Sequence, residues 1–372
     1  MPISIQPYLR EHEPAVVEFN RRLQAGTNDP NLVFPKSAVP RWLPPQSGSP
    51  VWNDFFVAVE GSAVRGAYAI KHERLFIRGK GIVNIACYHH SLAEGIVDRS
   101  YASVGALLAR DALARQPLLY ALGMGGSDSP IARMIKALGF SLTLLPFYFR
   151  VVHPTKFLRE MQALRAQRWR AVLLDLAAIT GTGWLGIKAA QYFGRRHRGA
   201  TDFVAEEVNE FSTWTDHLWD QAKSFVTMAA VRDSETLRML YPPDQNTLTR
   251  IRVSRGNQVI GWAVVGERRK DEKFGTMRVG SVIDCWASPE NAGAVVQAAA
   301  KALEKRGVDL IVSNQAHEMW CRSFEQNGFL KGPSNFVLAL SKKLTELLQP
   351  LQETRPSFHV TRADGDGLPN NF

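Results

Sequence analysis

Two acids stand inside stretches that are otherwise apolar: Glu94 in SLAEGIV and Asp284 in GSVIDCWA. A carboxylate is costly to bury unless it is paired or working. The alternative, a carboxylate that faces solvent or pairs with an arginine, stays open for both. His89 and His90 precede Glu94 on the same run. Adjacent strand residues point to opposite faces, so one of them at most meets a substrate, and His90 is the candidate. His317 lies near the start of a later helix and is a second candidate contact, with a helix cap as its alternative. A metal site is not expected. Cys87, Cys285 and Cys321 lack ligand spacing, and Asp364 and Asp366 lack the further ligands of a calcium loop. There is no phosphate-binding Walker loop and no serine-hydrolase elbow.

The elements that must position these groups occur twice. Residues 54–65 and 248–260 each read as strand, turn at Gly61 or Gly256, and strand, followed by a glycine and an apolar run, Gly66 with AYAI and Gly261 with WAVV. Each half closes with a helix ending in Gly-Phe, at Gly139-Phe140 and Gly328-Phe329. From Gly66 to Gly139 is 73 residues and from Gly261 to Gly328 is 67, too long a period for a solenoid. Strands interleaved with helices give an α/β (α+β) class: two tandem domains, each a mixed sheet flanked by helices, joined by a helical linker. The expected limits are 1–153, a linker 154–205, 206–345, and a strand with an Asp/Gly-rich tail, 346–372.

With 372 residues, 45% of them hydrophobic, the chain is long enough for two full cores. Three scattered cysteines suit a reducing compartment, and the N-terminus lacks a long apolar run, so a cytoplasmic protein is expected. Within the net charge of +10, residues 156–198 hold nine Lys or Arg against Glu160 and Asp175. That segment is read as an inter-domain helical hairpin, with peripheral contact to the inner face of an anionic membrane as its alternative. Nucleic acid is not the expected partner, because the patch lacks an aromatic stacking pattern.

The order of elements resembles the GNAT superfamily, the acyl-CoA-dependent N-acyltransferases, over about 290 residues as two successive domains. The stretches that carry the resemblance are IVDRSYASVGALLARDAL and SPIARMIKALGF in the first half, and CWASPENAGAVVQAAAKAL and MWCRSFEQNGF in the second. The closing FHVTRADGDG is similar to the last strand of tandem acetyltransferase-like proteins associated with polysaccharide loci.

The resemblance implies acetyl-CoA or another acyl-CoA as donor, its pyrophosphate held by backbone N–H groups at a helix N-terminus. Carried over, that turn is Ala102, Ser103, Val104, Gly105 and Ala106, with Arg99 nearby to supply charge. Only Gly105 of the family's basic residue and two glycines survives; Ala102 and Leu107 fill the other two places, and the second half keeps only Gly293. In this register Glu94 and Asp284 each lie three residues before the end of the family's central strand, which makes them the candidate bases. The family's tyrosine acid is replaced by Ile135 and Phe324. The expected activity is N-acyl transfer from acyl-CoA, or from an acyl carrier protein, to a small-molecule amine, an amino sugar or amino acid of envelope or exopolysaccharide metabolism. The alternative is an inactive tandem scaffold or ligand sensor.

Overall fold

The computed structural model describes residues 2–27, 29, 32–161, 185–189, 191, 202–267 and 274–365. The basic segment 156–198 and its expected membrane contact lie mostly outside these residues, as does Asp366. No helix among them is long and apolar enough to cross a membrane.

The first half supplies β1 (Ser4–Pro7), α1 (Glu13–Thr27), β2 (Val51–Glu60), β3 (Ala63–Ile77), β4 (Gly81–Ala93), α2 (Val104–Arg115), β5 (Leu119–Gly123), α3 (Pro130–Ala137), β6 (Ser141–Leu144), β7 (Phe147–Val151) and α4 (Pro154–Glu160). The second supplies β8 (Val204–Val208), α5 (Trp214–Ala222), β9 (Met228–Ala230), α6 (Ser234–Leu240), β10 (Leu248–Arg255), β11 (Gln258–Glu267), β12 (Val279–Ala287), α7 (Ala292–Lys305), β13 (Leu310–Asn314), α8 (Glu318–Gln326), β14 (Leu330–Gly332), β15 (Val337–Leu340), α9 (Lys342–Leu347) and β16 (Phe358–His359).

Period-2 patterning gives the strands two buried faces. In the first sheet Phe56, Ala58, Tyr68, Ile70 and Tyr88 face α2 and α3, while Phe55, Val57, Ala67 and Ala69 face α1. Helices approach the sheets closely at the repeated glycine. A side chain at Gly66 would meet Val104 Cγ1 at 2.7 Å, and one at Gly261 would meet Val295 Cγ2 at 2.5 Å and the Trp286 carbonyl at 2.8 Å.

The sheets do not follow the expected domain limits. The first runs β1-β2-β3-β4-β5-β15-β6, and the second runs β14-β7-β13-β12-β11-β10-β8. Each half therefore donates a strand to the middle of the other's ladder: β15 pairs with both β5 and β6, and β7 with both β13 and β14; β9 and β16 of the second half also join the first sheet, through β3. The continuous apolar run LTLLPFYFRVV forms two strands in two sheets. Leu145-Pro146 separates them; proline donates no ladder hydrogen bond, and the buried Leu145 is held by its N–H to the Phe336 carbonyl at 2.9 Å. The limits at 153 and 206 divide the sequence but not the packed units.

One feature is common to both sheets. The parallel pair β4–β5 is matched only at Ala86↔Leu119 and Cys87↔Tyr120, and β12–β13 only from Val279↔Leu310 to Ser281↔Val312. Beyond those points the strands part, and β4 and β12 run on to Ala93 and Ala287.

Candidate active site

His89 stands two residues past the last β4–β5 pair, opposite Ala69 on β3. The next position carries a bulge, where His90 and Ser91 together oppose Tyr68 and His90 adopts φ +48°. The two rings are tilted neighbours 4.9 Å apart. His89 is only half-buried by surface, yet its Nε2 is 3.0 Å from Asn53 Oδ1. Burial, with the charges of His90 and Lys71 added, holds its pKa well below the ordinary imidazole value, so the ring is neutral near pH 7. Asn53 is fully buried, and its Nδ2 has no hydrogen-bond partner among the described residues.

Next to His89 on this face lies a buried polar row. Lys71 Nζ is 3.3 Å from Glu73 Oε2 and 3.1 Å from the Asp364 carbonyl oxygen. The Tyr120 hydroxyl reaches the Glu73 carboxyl and the Asp364 carbonyl. The C-terminal segment thus lies across β3 and β5, and a side chain at Gly365 would strike Leu122 Cβ at 2.8 Å. Beneath it remains a cavity of about 20 Å³, room for one water and too small for an acyl chain.

The two acids singled out in the sequence both have arginine partners. Glu94 begins a short 3-10 turn after β4 instead of lying within it, and it binds Arg22 Nε at 2.6 Å and Arg65 Nη1 at 3.0 Å. Arg65 also stacks over Tyr101, 4.4 Å from the ring centroid, and Tyr101 donates to Glu60. Glu94 in this way ties α1 to the loop that leads into α2. Asp284 has no exposed surface. Arg232 Nε, the Tyr241 hydroxyl and Thr361 Oγ1 reach it at 2.8, 2.6 and 3.1 Å. Burial raises the Asp284 pKa beyond what Arg232 offsets, whereas at Asp364 the opposing pull of Arg232 and Lys71 exceeds burial and lowers it.

Strand pairing also changes their correspondence. Gly66 is opposite Ala93 and Gly261 is opposite Ala287. Glu94 therefore lies past its strand, whereas Asp284 lies three residues inside. The residue opposite the third position after the repeated glycine is Asp284 in the second half, facing Val264, and His89 in the first, facing Ala69. The counterpart of Asp284 is His89. A bulge between Ala67 and Ala69 slips the count in the first sheet, while the second sheet's bulge falls only after Val264, a difference invisible in a sequence comparison.

The second parting is closed by the chain itself. His359 donates to the Cys285 carbonyl at 2.9 Å and sits against Trp286 and Trp320 at 4.8 and 5.7 Å between ring centroids. Thr361 bridges Gln315, and the Ala316 N–H donates to the Val360 carbonyl at 3.1 Å. His317, the other histidine candidate, caps α8 through Nδ1, accepting from Met319 N–H at 3.2 Å, and is buried. The sequence-selected Asp364 belongs to this plug. Among the described residues no cluster of metal ligands occurs.

At the mouth of the first parting lies the first turn of α2. Ala102 and Ser103 are exposed, and Ser103 makes no side-chain cap bond, so the turn's leading N–H groups face outward without an intrahelical partner. A side chain at Gly105 would have only Met134 Sδ at 3.6 Å and Ala93 Cβ at 3.9 Å nearby. Val104 is buried against Gly66 and could offer only backbone, and Arg99 is exposed on the approach. Across the opening, the loop after β5 takes positive φ at Gly123, Met124, Gly125 and Gly126 before Ser129 caps α3. The outer wall comes from the second half: Phe336 lies 3.7 Å from a side chain built at Gly123.

No family model and no curated protein matches this sequence. Solved structures do. Saccharomyces cerevisiae N-myristoyltransferase with bound myristoyl-CoA aligns over 91% of this chain and 80% of its own, with TM-score 0.55 at 9% identity. A conserved Enterococcus faecalis protein of unknown function aligns over 94% and 75%, with TM-score 0.50 at 8% identity. The chain has the GNAT fold, in tandem. A tandem GNAT protein of the clavulanic acid pathway also aligns, over 91% of this chain and 99% of its own, with TM-score 0.47 at 12% identity. The seven-strand paths of the two mixed, mostly antiparallel sheets share one topology, with β7 and β15 exchanged between them.

Proposed function

We propose that this protein transfers an acyl group from acyl-CoA to the nitrogen of a small-molecule amine, at the parting of β4 and β5. The observation that carries the reading is the contrast between the two partings. In the second, the backbone of β12 is engaged by the chain's own C-terminal segment; in the first, the last β4–β5 pair is Cys87↔Tyr120, and β4 runs on to Ala93 past the end of that ladder. An extended thioester arm placed there could hydrogen-bond to β4, and its pyrophosphate would reach the leading N–H groups of α2. The amine nitrogen would attack the thioester carbonyl; the C–N bond forms, the C–S bond breaks, and CoA leaves as the thiol. Which acyl group and which amine are served is a finer question; an amino sugar or amino acid of envelope metabolism remains the proposed acceptor. The second half then acts as wall and scaffold.

Calorimetry with acetyl-CoA tests this. The expected outcome is one site per chain, lost in Gly105→Glu. The space around Gly105 accommodates a side chain, so that variant puts a negative charge at the anion site without disturbing the core. Two sites per chain, or binding indifferent to Gly105→Glu, would rule out this placement.

A further inference from the structure

A separate opening lies toward the start of β4, away from the parting. Strand parity with Phe56, Ile70 and Ala86 puts Trp52, His72, Arg74 and Asn84 on the sheet face that also carries α2 and α3. With Glu73, the loop 48–50 and Glu235 of α6, they line a space of about 230 Å³, large enough for a small ring where a single water needs far less. One wall is aromatic and fixed. Trp52 and His72 are direct cross-strand partners whose rings stack at 4.6 Å and 13°, and Asp54 Oδ2 stands 2.9 Å from His72 Nε2. Arg74 ties the floor to the second half through Asp233 at 2.8 Å and Thr236 at 3.0 Å. Two enclosed donors here, Trp52 Nε1 and Arg74 Nε, have no hydrogen-bond partner among the described residues. A small turn of either side chain toward an oxygen in the opening would satisfy it.

We propose that this opening binds a single saccharide unit, an amine-bearing pyranose. Its C–H face packs on the aromatic wall, and its hydroxyls accept from the indole and guanidinium N–H groups and pair with the exposed Asn84 amide. Charge decides against an anion. Arg74 is already matched by Asp233 and Glu73 by Lys71, and the exposed Glu235 adds a carboxylate that suits an ammonium group. An apolar ligand would leave both donors unsatisfied. Asn84 precedes the last β4–β5 pair at Cys87 by three residues, about 10 Å along the strand, on the side away from the parting. The site is therefore distinct from the place proposed for acyl transfer and does not depend on that reading.

The test is a saturation-transfer NMR titration of the full chain with glucosamine, with glucose and inorganic phosphate as comparators. Glucosamine should bind in the millimolar range and about threefold more tightly than glucose, the difference an exposed ion pair makes. Glu235→Gln should erase that preference. Asn84→Trp, which fills the opening from an exposed position, should weaken glucosamine binding about tenfold or more while leaving the urea midpoint unchanged. Trp52→Phe keeps a ring but removes the indole donor and should weaken binding about threefold. Absence of glucosamine binding, equal affinity for glucose, or a preference that survives Glu235→Gln overturns the proposal. Binding indifferent to Asn84→Trp in a folded protein places the sugar elsewhere and overturns it too. Displacement of glucosamine by phosphate would make the opening an anion site instead.

Discussion

The two halves place a polar side chain at the same point of the same parted strand, and their surroundings give it opposite fates. In the second half Asp284 is neutralised by Arg232 and covered by residues 358–364; in the first, His89 meets an amide and keeps an accessible edge. Duplication gives both halves an opening, and among the described residues it is the second that the C-terminal segment enters. The fill is held by charge and aromatic packing together, since Arg232 spans Asp284 and Asp364 while His359 sits against two tryptophans.

The strongest way to break the comparison is to separate the halves. Residues 1–153 and 206–365 made as independent chains should fail to fold, since each would carry a strand, β7 or β15, that belongs in the other's sheet. The intact chain should unfold in one calorimetric transition. Two independent transitions would show that the exchange couples nothing.

Arg232→Met should come next, lowering stability by roughly 3–5 kcal/mol in urea unfolding, because it leaves two buried carboxyls without their shared cation. A loss below about 1 kcal/mol would mean that the plug is held by packing alone.

The plug should also loosen in acid. Burial, with Arg232 and His317 adding to it, lowers the His359 pKa to about 3, so the ring is neutral when folded and must give up buried contacts to become charged. The unfolded chain binds that proton near pH 6.5, so stability from this residue is complete above about pH 6.5 and is lost as pH falls toward 3, about 5 kcal/mol at most. His359→Gln should flatten the dependence of the urea midpoint over that window; an unchanged slope would assign the effect to other groups.

The smallest effects sharpen the role of the glycines. Gly66→Ala and Gly261→Ala should each cost about 1–3 kcal/mol, because the helix must move off the strand. Gly105→Ala should stay within about 1 kcal/mol of the unaltered protein and keep acetyl-CoA binding. Equal losses at all three would contradict the space seen around Gly105.

Much of the site's framework is legible along the chain. Asn53, Lys71 and Glu73 share strand parity with buried Phe55, Ala69 and Leu75, so polar residues at inward positions were a signal that could have marked this face. Alternation allows only one of His89 and His90 to face the site and does not say which, and the bulge interrupts it by placing His90 at φ +48°. Arg22, Arg65 and Arg232 had no such signal. Arg232 lies 52 residues from Asp284 and 132 from Asp364, and Arg22 lies 72 from Glu94, distances at which no local pattern reports a contact.

The sequence by itself determined the repeat, the order of strands and helices, and the glycines at which helices approach sheets, because these depend on periodicity and on the absence of a Cβ. Only the tertiary structure decided which strand closes which sheet, which acids are neutralised, and which parting residues 358–364 enter. Those outcomes depend on pairing between distant segments and on single-residue bulges that shift the register, and neither leaves a mark in local composition.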